Sequence, residues 1–247
     1  MKNLLLVLSF LFLIACTDNR KKTSLDVSEE SIDKYIEEKL DTSQNFEIAS
    51  GLRFSKGDET YTAEQFSQND TVILCTEEIV TPTGVLLRNF FFKDDLPVYV
   101  EEYESIYSET SDLYRQRKIY FNGAIILKAY EKTASVEEEL VKLPFKEITM
   151  TMNQFDFERP KNASMQQGDY EMKFGEFLVF DLESYLILEN KESGWSVALY
   201  ILKGDQLVDQ LYANPDAYKG KTIHPYHEFM TIGGLDRVVY KGGYIVE

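Results

Sequence analysis

Histidine and cysteine are scarce in this 247-residue chain, two of each, and that scarcity closes off chemistry. Cys16 and Cys75 cannot build a disulfide framework or a CxxC zinc site. There is no glycine-rich phosphate loop, EF-hand spacing, dinucleotide fingerprint or GxSxG elbow. Long apolar runs are absent too. The longest, Leu4 to Ala15, is broken only by Ser9 and would extend about 18 Å as a helix, short of the roughly 30 Å a membrane-spanning helix needs. Positive charge is also short, with 26 Lys and Arg against 42 Asp and Glu and a formal charge of −16. Such a surface repels nucleic-acid phosphates and anionic headgroups, and it keeps a protein soluble.

What is there begins with the leader. A short charged region (Lys2), the apolar run and a small residue precede Cys16, the pattern of an export signal. Leu13-Ile14-Ala15-Cys16 resembles the lipobox of bacterial lipoproteins, of the type found in Bacteroidota envelopes. The resemblance covers residues 1–16 and names no family for the rest. It implies a signal peptide over 1–15, cleavage before Cys16, and a diacylglycerol thioether on Cys16 with further acylation that makes the anchor permanent. Thr17 rather than Asp after the cysteine, with Arg20, Lys21 and Lys22 close behind, implies an outer-membrane position facing the periplasm. Residues 16–27 read as a flexible tether. Asp70-Thr71-Val72 resembles the O-glycosylation acceptor of Bacteroidota envelope proteins, a pattern short enough to arise by chance.

The mature chain reads as mainly β, with antiparallel meander and hairpin sheets, a short N-terminal helix and two packed β units, 28–155 and 165–247. Ser28 caps a helix whose apolar stripe is Ile32, Tyr35, Ile36 and Leu40. Residues 41–69 are mixed and polar, with a turn at Ser55 to Asp58. From Asp70 the pattern turns to strands: Thr71 to Val80, Val85 to Lys93, Leu96 to Glu104, Tyr114 to Phe121 and Ala124 to Tyr130, with Asn122-Gly123 as a hairpin signal. Arg88-Asn89-Phe90-Phe91-Phe92 and Arg117-Lys118-Ile119-Tyr120-Phe121 look like two copies of one hairpin unit, too few for a solenoid. Ala134 to Leu143 is a short helix or an acidic loop, and Asn153 to Asp169 a linker. Tyr170 to Phe180, Tyr185 to Glu189, Trp195 to Leu202 and Gln206 to Tyr212 read as strands. Val238 to Tyr240 and Tyr244 to Val246, broken by Gly242-Gly243, read as a closing hairpin.

Candidate chemistry is thin. Cys75 shares a strand face with Ile73 and reads as a small buried hydrophobe; Glu77 and Glu78 beside it disfavour a thiolate. His224-Pro225-Tyr226-His227-Glu228 contains zinc-ligand types, but Pro225 breaks any helix and the segment reads as an exposed loop. Asp94-Asp95 and Glu101-Glu102 place neighbours on opposite strand faces and read as solvated charge. Ser193-Gly194-Trp195-Ser196 reads as a hairpin turn followed by a core aromatic. The 16 Tyr and 16 Phe suit cross-strand pairing and core filling, or else the lining of an apolar cavity. The expectation is therefore an envelope lipoprotein, not an enzyme and without a cofactor, attached to the membrane through Cys16 and acting as a binding or assembly component for an envelope protein. A carrier of a lipid or other apolar ligand is the first alternative. A metal-dependent hydrolase using His224, His227 and Glu228 is the second.

Overall fold

The computed structural model describes residues 28–246; the leader, the tether and Cys16 lie outside the described residues. Helix α1 (Glu29–Asp41) opens the described chain, capped reciprocally by Ser28 and Ser31 and with Glu29 and Glu30 on its positive end. Then follow β1 (Glu47–Ser50), β2 (Phe54–Lys56), β3 (Glu59–Gln68), β4 (Thr71–Thr81), β5 (Gly84–Lys93), β6 (Leu96–Ile106), β7 (Leu113–Asn122) and β8 (Ile125–Ala134). A short α2 (Glu137–Leu140), β9 (Lys146–Glu147) and α3 (Glu158–Ser164) lead to β10 (Lys173–Val179), β11 (Ser184–Asn190) and β12 (Trp195–Tyr200). Helices α4 (Gln206–Ala213) and α5 (Pro215–Tyr218) precede a last hairpin, β13 (Ile223–Ile232) and β14 (Leu235–Ile245).

The fold is mainly β. Among the described residues fourteen strands join one sheet whose main path runs β10-β11-β12-β2-β3-β4-β5-β6-β7-β8-β9. Its middle, β3 to β8, is an up-and-down antiparallel meander. The sheet forks where β1 and β2, consecutive in the chain, both pair with β3, while β12 meets β2 at Ser196↔Ser55 and β14 at Tyr200↔Val239.

Both faces of the meander are covered. On one, Ile32 and Ile36 of α1 pack on Leu74, Phe91, Tyr99 and Tyr120. Two buried isoleucines contribute about 3–6 kcal/mol, and three tyrosines fix the helix: Tyr35 to the Phe92 carbonyl (2.6 Å), Tyr120 to Asp33 (3.0 Å) and Tyr130 to Glu29 (2.9 Å). Leu40, expected on the buried stripe, is exposed. On the other face Cys75, Phe90, Phe92, Val100, Ile119 and Phe121 lie under Phe155 and Phe157. A third core, around Trp195, Tyr170 and Leu199, also takes Leu52, Phe54, Tyr61 and Ala63 from the first part of the chain.

Several expectations are corrected. Strands begin at Glu47 rather than Asp70, because β3 is Thr- and Gln-rich and buries only Tyr61 and Ala63. Gln206 to Tyr212 is a helix: Asp205 accepts from the Val208 N–H, and Leu207, Val208 and Leu211 are buried on one side. The linker at 153–169 holds α3, packed on β3 and β4 with Pro160 and Ala163 buried. Val238 to Val246 is no hairpin. Its turn is Gly233-Gly234, both with positive φ as a I′ turn demands, and Gly242 marks a bulge inside β14. At the β7–β8 tip only Gly123 has positive φ, so Gly123-Ala124 turns and Asn122 ends its strand.

Candidate functional site

Strand alternation sorts the meander into two rows of chemistry. On the face beneath Phe155 and Phe157, Glu77, Arg88, Glu102, Arg117 and Glu131 stand directly opposite one another on β4, β5, β6, β7 and β8. They form a ladder of alternating sign. Arg88 bonds Glu77 (3.1 Å) and Glu102 (2.7 Å), and Arg117 bonds Glu102 (2.7 Å) and Glu131 (2.8 Å). Arg159 of α3 closes the end, gripping Glu77 through two nitrogens at 3.0 and 2.6 Å, and the Tyr61 hydroxyl donates to Glu77 at 3.0 Å. Glu77 and Glu102 are 2% and 1% exposed. Burial works against the Arg159 charge, but the Glu77 carboxylate outweighs it and raises the guanidinium pKa; burial, then Glu77, raises the Tyr61 phenol.

Glu102 therefore departs from the expected solvated charge: it is buried, and guanidinium groups on both neighbouring strands satisfy its oxygens. Glu101, on the opposite face, bonds Gln116 (3.0 Å). Asp94 and Asp95 are turn residues, both with positive φ.

The ladder has an internal period. In the β3–β4, β5–β6 and β7–β8 hairpins a bulged residue, Ile73, Val98 or Leu127, follows the turn by three positions. A glutamate follows the turn by seven positions in each: Glu77, Glu102, Glu131. The arginine six positions before the turn is Arg88 or Arg117 in the second and third hairpins, and Ala63 in the first. Arg159 reaches across from α3 to supply that missing cation. The unit seen twice in the sequence is thus present three times.

The opposite face, beyond α1, is an open groove of about 580 Å³ floored by Thr62, Glu64, Thr76, Glu78, Asn89 and Gln116, with Tyr103 and Phe229 at its margin. That volume lies in the range of ~300–1,000 Å³ typical of small-molecule sites, and the lining mixes glutamates and amides with Leu87, Tyr103 and Phe229. A smaller hollow of about 140 Å³ lies between α1 and the hairpin tips, lined by Ile32, Tyr35, Leu96 and Val98. It is apolar but well below the ~300 Å³ lower end of that range. The aromatic rings fill space: Phe90, Phe92, Phe121 and Phe155 all pack against one another or against Phe157 at centroid distances of 5.5 to 6.4 Å.

His224 to Glu228 lies in β13 and not in a loop, and the three ligand types do not converge. His227 Nε2 meets the Gly51 carbonyl at 3.0 Å, His224 stacks on Tyr244, and Glu228 pairs with Lys241 at 2.7 Å. Among the described residues no group of three or more His, Cys, Asp or Glu is placed to hold a metal. Burial lowers the pKa of His227 and of His224.

Cys75 is fully buried, and burial pushes its thiol up to about 12. Its face-mate is Val72, because the bulge at Ile73 resets the alternation. Gly194 has positive φ and turns β11 into β12, and Trp195 is buried behind it. Sequence reasoning reached Arg88 and Arg117 only as the first residues of a repeated hairpin unit, without their carboxylate partners, and passed over Arg159. Arg88 and Glu102, like Arg117 and Glu131, stand fourteen residues apart inside one hairpin, a spacing that carried the signal. Comparison with protein-family models, with curated proteins and with solved structures finds no match to this chain.

Proposed function

We propose that this chain is a bacterial envelope lipoprotein, anchored by acylated Cys16 in the outer membrane and facing the periplasm, that acts without catalysis as a binding or assembly component. The observation that supports the binding role best is the open groove across β3 to β7, large enough for a ligand or a partner's side chains and rich in hydrogen-bonding groups. The lipobox-like Leu13-Ile14-Ala15-Cys16 supports the address. Anchoring at Cys16 leaves a short polar tether before Ser28, so the domain stays within a few nanometres of the bilayer.

Metabolic labelling with an alkynyl fatty acid tests the anchor. Label and membrane sedimentation are expected in the wild-type chain and are both lost in Cys16→Ala; an unlabelled wild-type chain refutes it. A photo-crosslinking amino acid at Asn89, on the groove floor, tests the binding role in intact cells. A discrete adduct suppressed by Asn89-adjacent charge reversal at Glu101→Lys supports it, and absence of any adduct counts against the groove.

A further inference from the structure

A second cleft, of about 550 Å³, opens at the fork of the sheet between β1, β13 and the end of α3. Three consecutive residues of β1 (Ile48, Ala49, Ser50) and six of β13 (His224 to Phe229) line it. Successive residues of a pleated strand face opposite ways, so a wall made of consecutive residues is a backbone edge. Among the described residues β1 pairs only with β3, and β13 only with β14.

The parity of the β1 edge follows from one bond. Gly51 N–H donates to the Ala63 carbonyl at 2.8 Å, and hydrogen-bonded pairs alternate along an antiparallel ladder. Ala49 thus bonds across to Gln65, while the N–H and C=O of Ile48 and of Ser50 point out of the sheet into the cleft. On the other wall the same reasoning turns Pro225 outward, where its missing N–H costs nothing, and its carbonyl accepts from Gln166 Nε2 at 3.3 Å.

Gln166 supplies the independent pointer to a ligand. It is 9% exposed and lines the cleft, and among the described residues its Oε1 has no hydrogen-bond partner. A buried acceptor left empty costs roughly 1–3 kcal/mol. Gln166 also has φ of 55°, at the position after α3 where glycine is preferred. Exposed Ile48, Met165, Tyr226 and Phe229 rim the opening, and among the described residues the only charged one lining it is Glu228.

We propose that this cleft binds an extended polypeptide segment by strand addition to the outer edge of β1. Main-chain groups of the incoming strand pair with Ile48 and Ser50, its apolar side chains rest on Met165, Tyr226 and Phe229, and one of its N–H groups donates to Gln166 Oε1 once that amide, buried in the free chain, turns into the cleft. The formal charge of −16 on the chain as a whole favours a neutral or basic segment. This rests on the binding role proposed above and gives it a partner class and a second site.

The test places a photo-crosslinking amino acid at Met165 or at Asn89 of the full chain in its native envelope, maps any captured peptide by mass spectrometry, and remakes that peptide for binding to the full chain in detergent. Capture at Met165 is expected. Binding of the synthetic segment should fall about tenfold in Ile48→Pro, which deletes an outward N–H, and less than about threefold in Ile48→Ala, which keeps it. Gln166→Leu, on the other wall, should weaken binding about fivefold. Capture at Asn89 alone overturns strand addition and leaves the groove reading standing; capture at neither position removes both. Equal affinity for Ile48→Pro and the wild-type chain refutes backbone pairing.

Discussion

Replacing Glu102 by glutamine is the sharpest test of the charge ladder. The side chain is 2% exposed and accepts from Arg88 Nε and from Arg117 Nη1, each at 2.7 Å. Glutamine keeps the shape but offers one acceptor and one donor, so an amide N–H must face a guanidinium N–H. The centre of the row then holds two arginines without their shared anion. Breaking a buried ion pair by neutralising one partner costs about 3–5 kcal/mol. For a domain of this size ~1 kcal/mol moves Tm by about 2–4 °C, so Glu102→Gln should lower Tm by roughly 6–20 °C. Glu104 is the control, one row out. It also bonds an arginine at 2.7 Å, Arg115, but both side chains are 23% exposed. Water screens such a pair to about 0–1 kcal/mol, so Glu104→Gln should cost at most ~4 °C. Thermal unfolding followed by circular dichroism at neutral pH measures both. Equal shifts for the two variants would refute the argument, since Glu102 is buried between two arginines and Glu104 is partly exposed and holds one.

Arg159→Ala removes both bonds closing the ladder at Glu77 and should lower Tm more than Lys161→Ala on the same helix, read by differential scanning fluorimetry. Cys75 should resist a thiol reagent such as Ellman's in the native chain and react fully in guanidinium, because burial holds the thiol up to about 12; fast native labelling contradicts the packing of its face. Burial lowers the pKa of His227, so protonation favours the unfolded chain: its stabilising contribution is complete above the unfolded value near 6.5 and is lost as pH falls through the lower folded value. The stability difference between wild type and His227→Phe should therefore shrink on going from pH 7.5 to about pH 5, measured by urea titration; a difference that grows on acidification is incompatible with it.

The meander from Thr71 to Tyr130 was legible because its strands alternate and its turns carry Pro, Asp or Gly, the signals on which pattern reading rests. The ladder was not, and the reason is a single residue per hairpin. Counted back from the Asp94-Asp95 turn, Arg88 faces Glu101. The bulge at Val98 moves the pairing by one and delivers Glu102 instead. Leu127 does the same for Arg117, bringing Glu131 opposite in place of Tyr130. A one-residue slip exchanges the faces of a strand, and nothing in the local composition announces it. The histidine segment was misread for a related reason. Pro225 signals a loop unless it sits on an edge strand with its nitrogen outward, and edge status is a property of the whole sheet. Helix α4 was missed because eight residues with three buried positions fit either period.

The arginine absent from the first hairpin links the charge ladder to the fork cleft. Ala63 occupies its place, and α3 packs on β3; a side chain on Gly51, just after β1, would meet the Ala163 carbonyl at 2.9 Å, so the helix backbone lies close to the chain there. From that seat α3 sends Arg159 from its first turn to Glu77, and its C-terminal turn presents Gln166 to the fork cleft. A helix of seven residues is too short to hold its shape alone and depends on these end contacts. Loss of Arg159 should therefore loosen Gln166 as well as Glu77. Hydrogen exchange offers the readout: in Arg159→Ala, protection should drop at the Gln166 and Gln167 amides, which close the helix on Ala163 and Asn162, and not in the β7–β8 hairpin at the ladder's far end. Uniform loss across the sheet would mean that the ladder, not the helix, carries the effect.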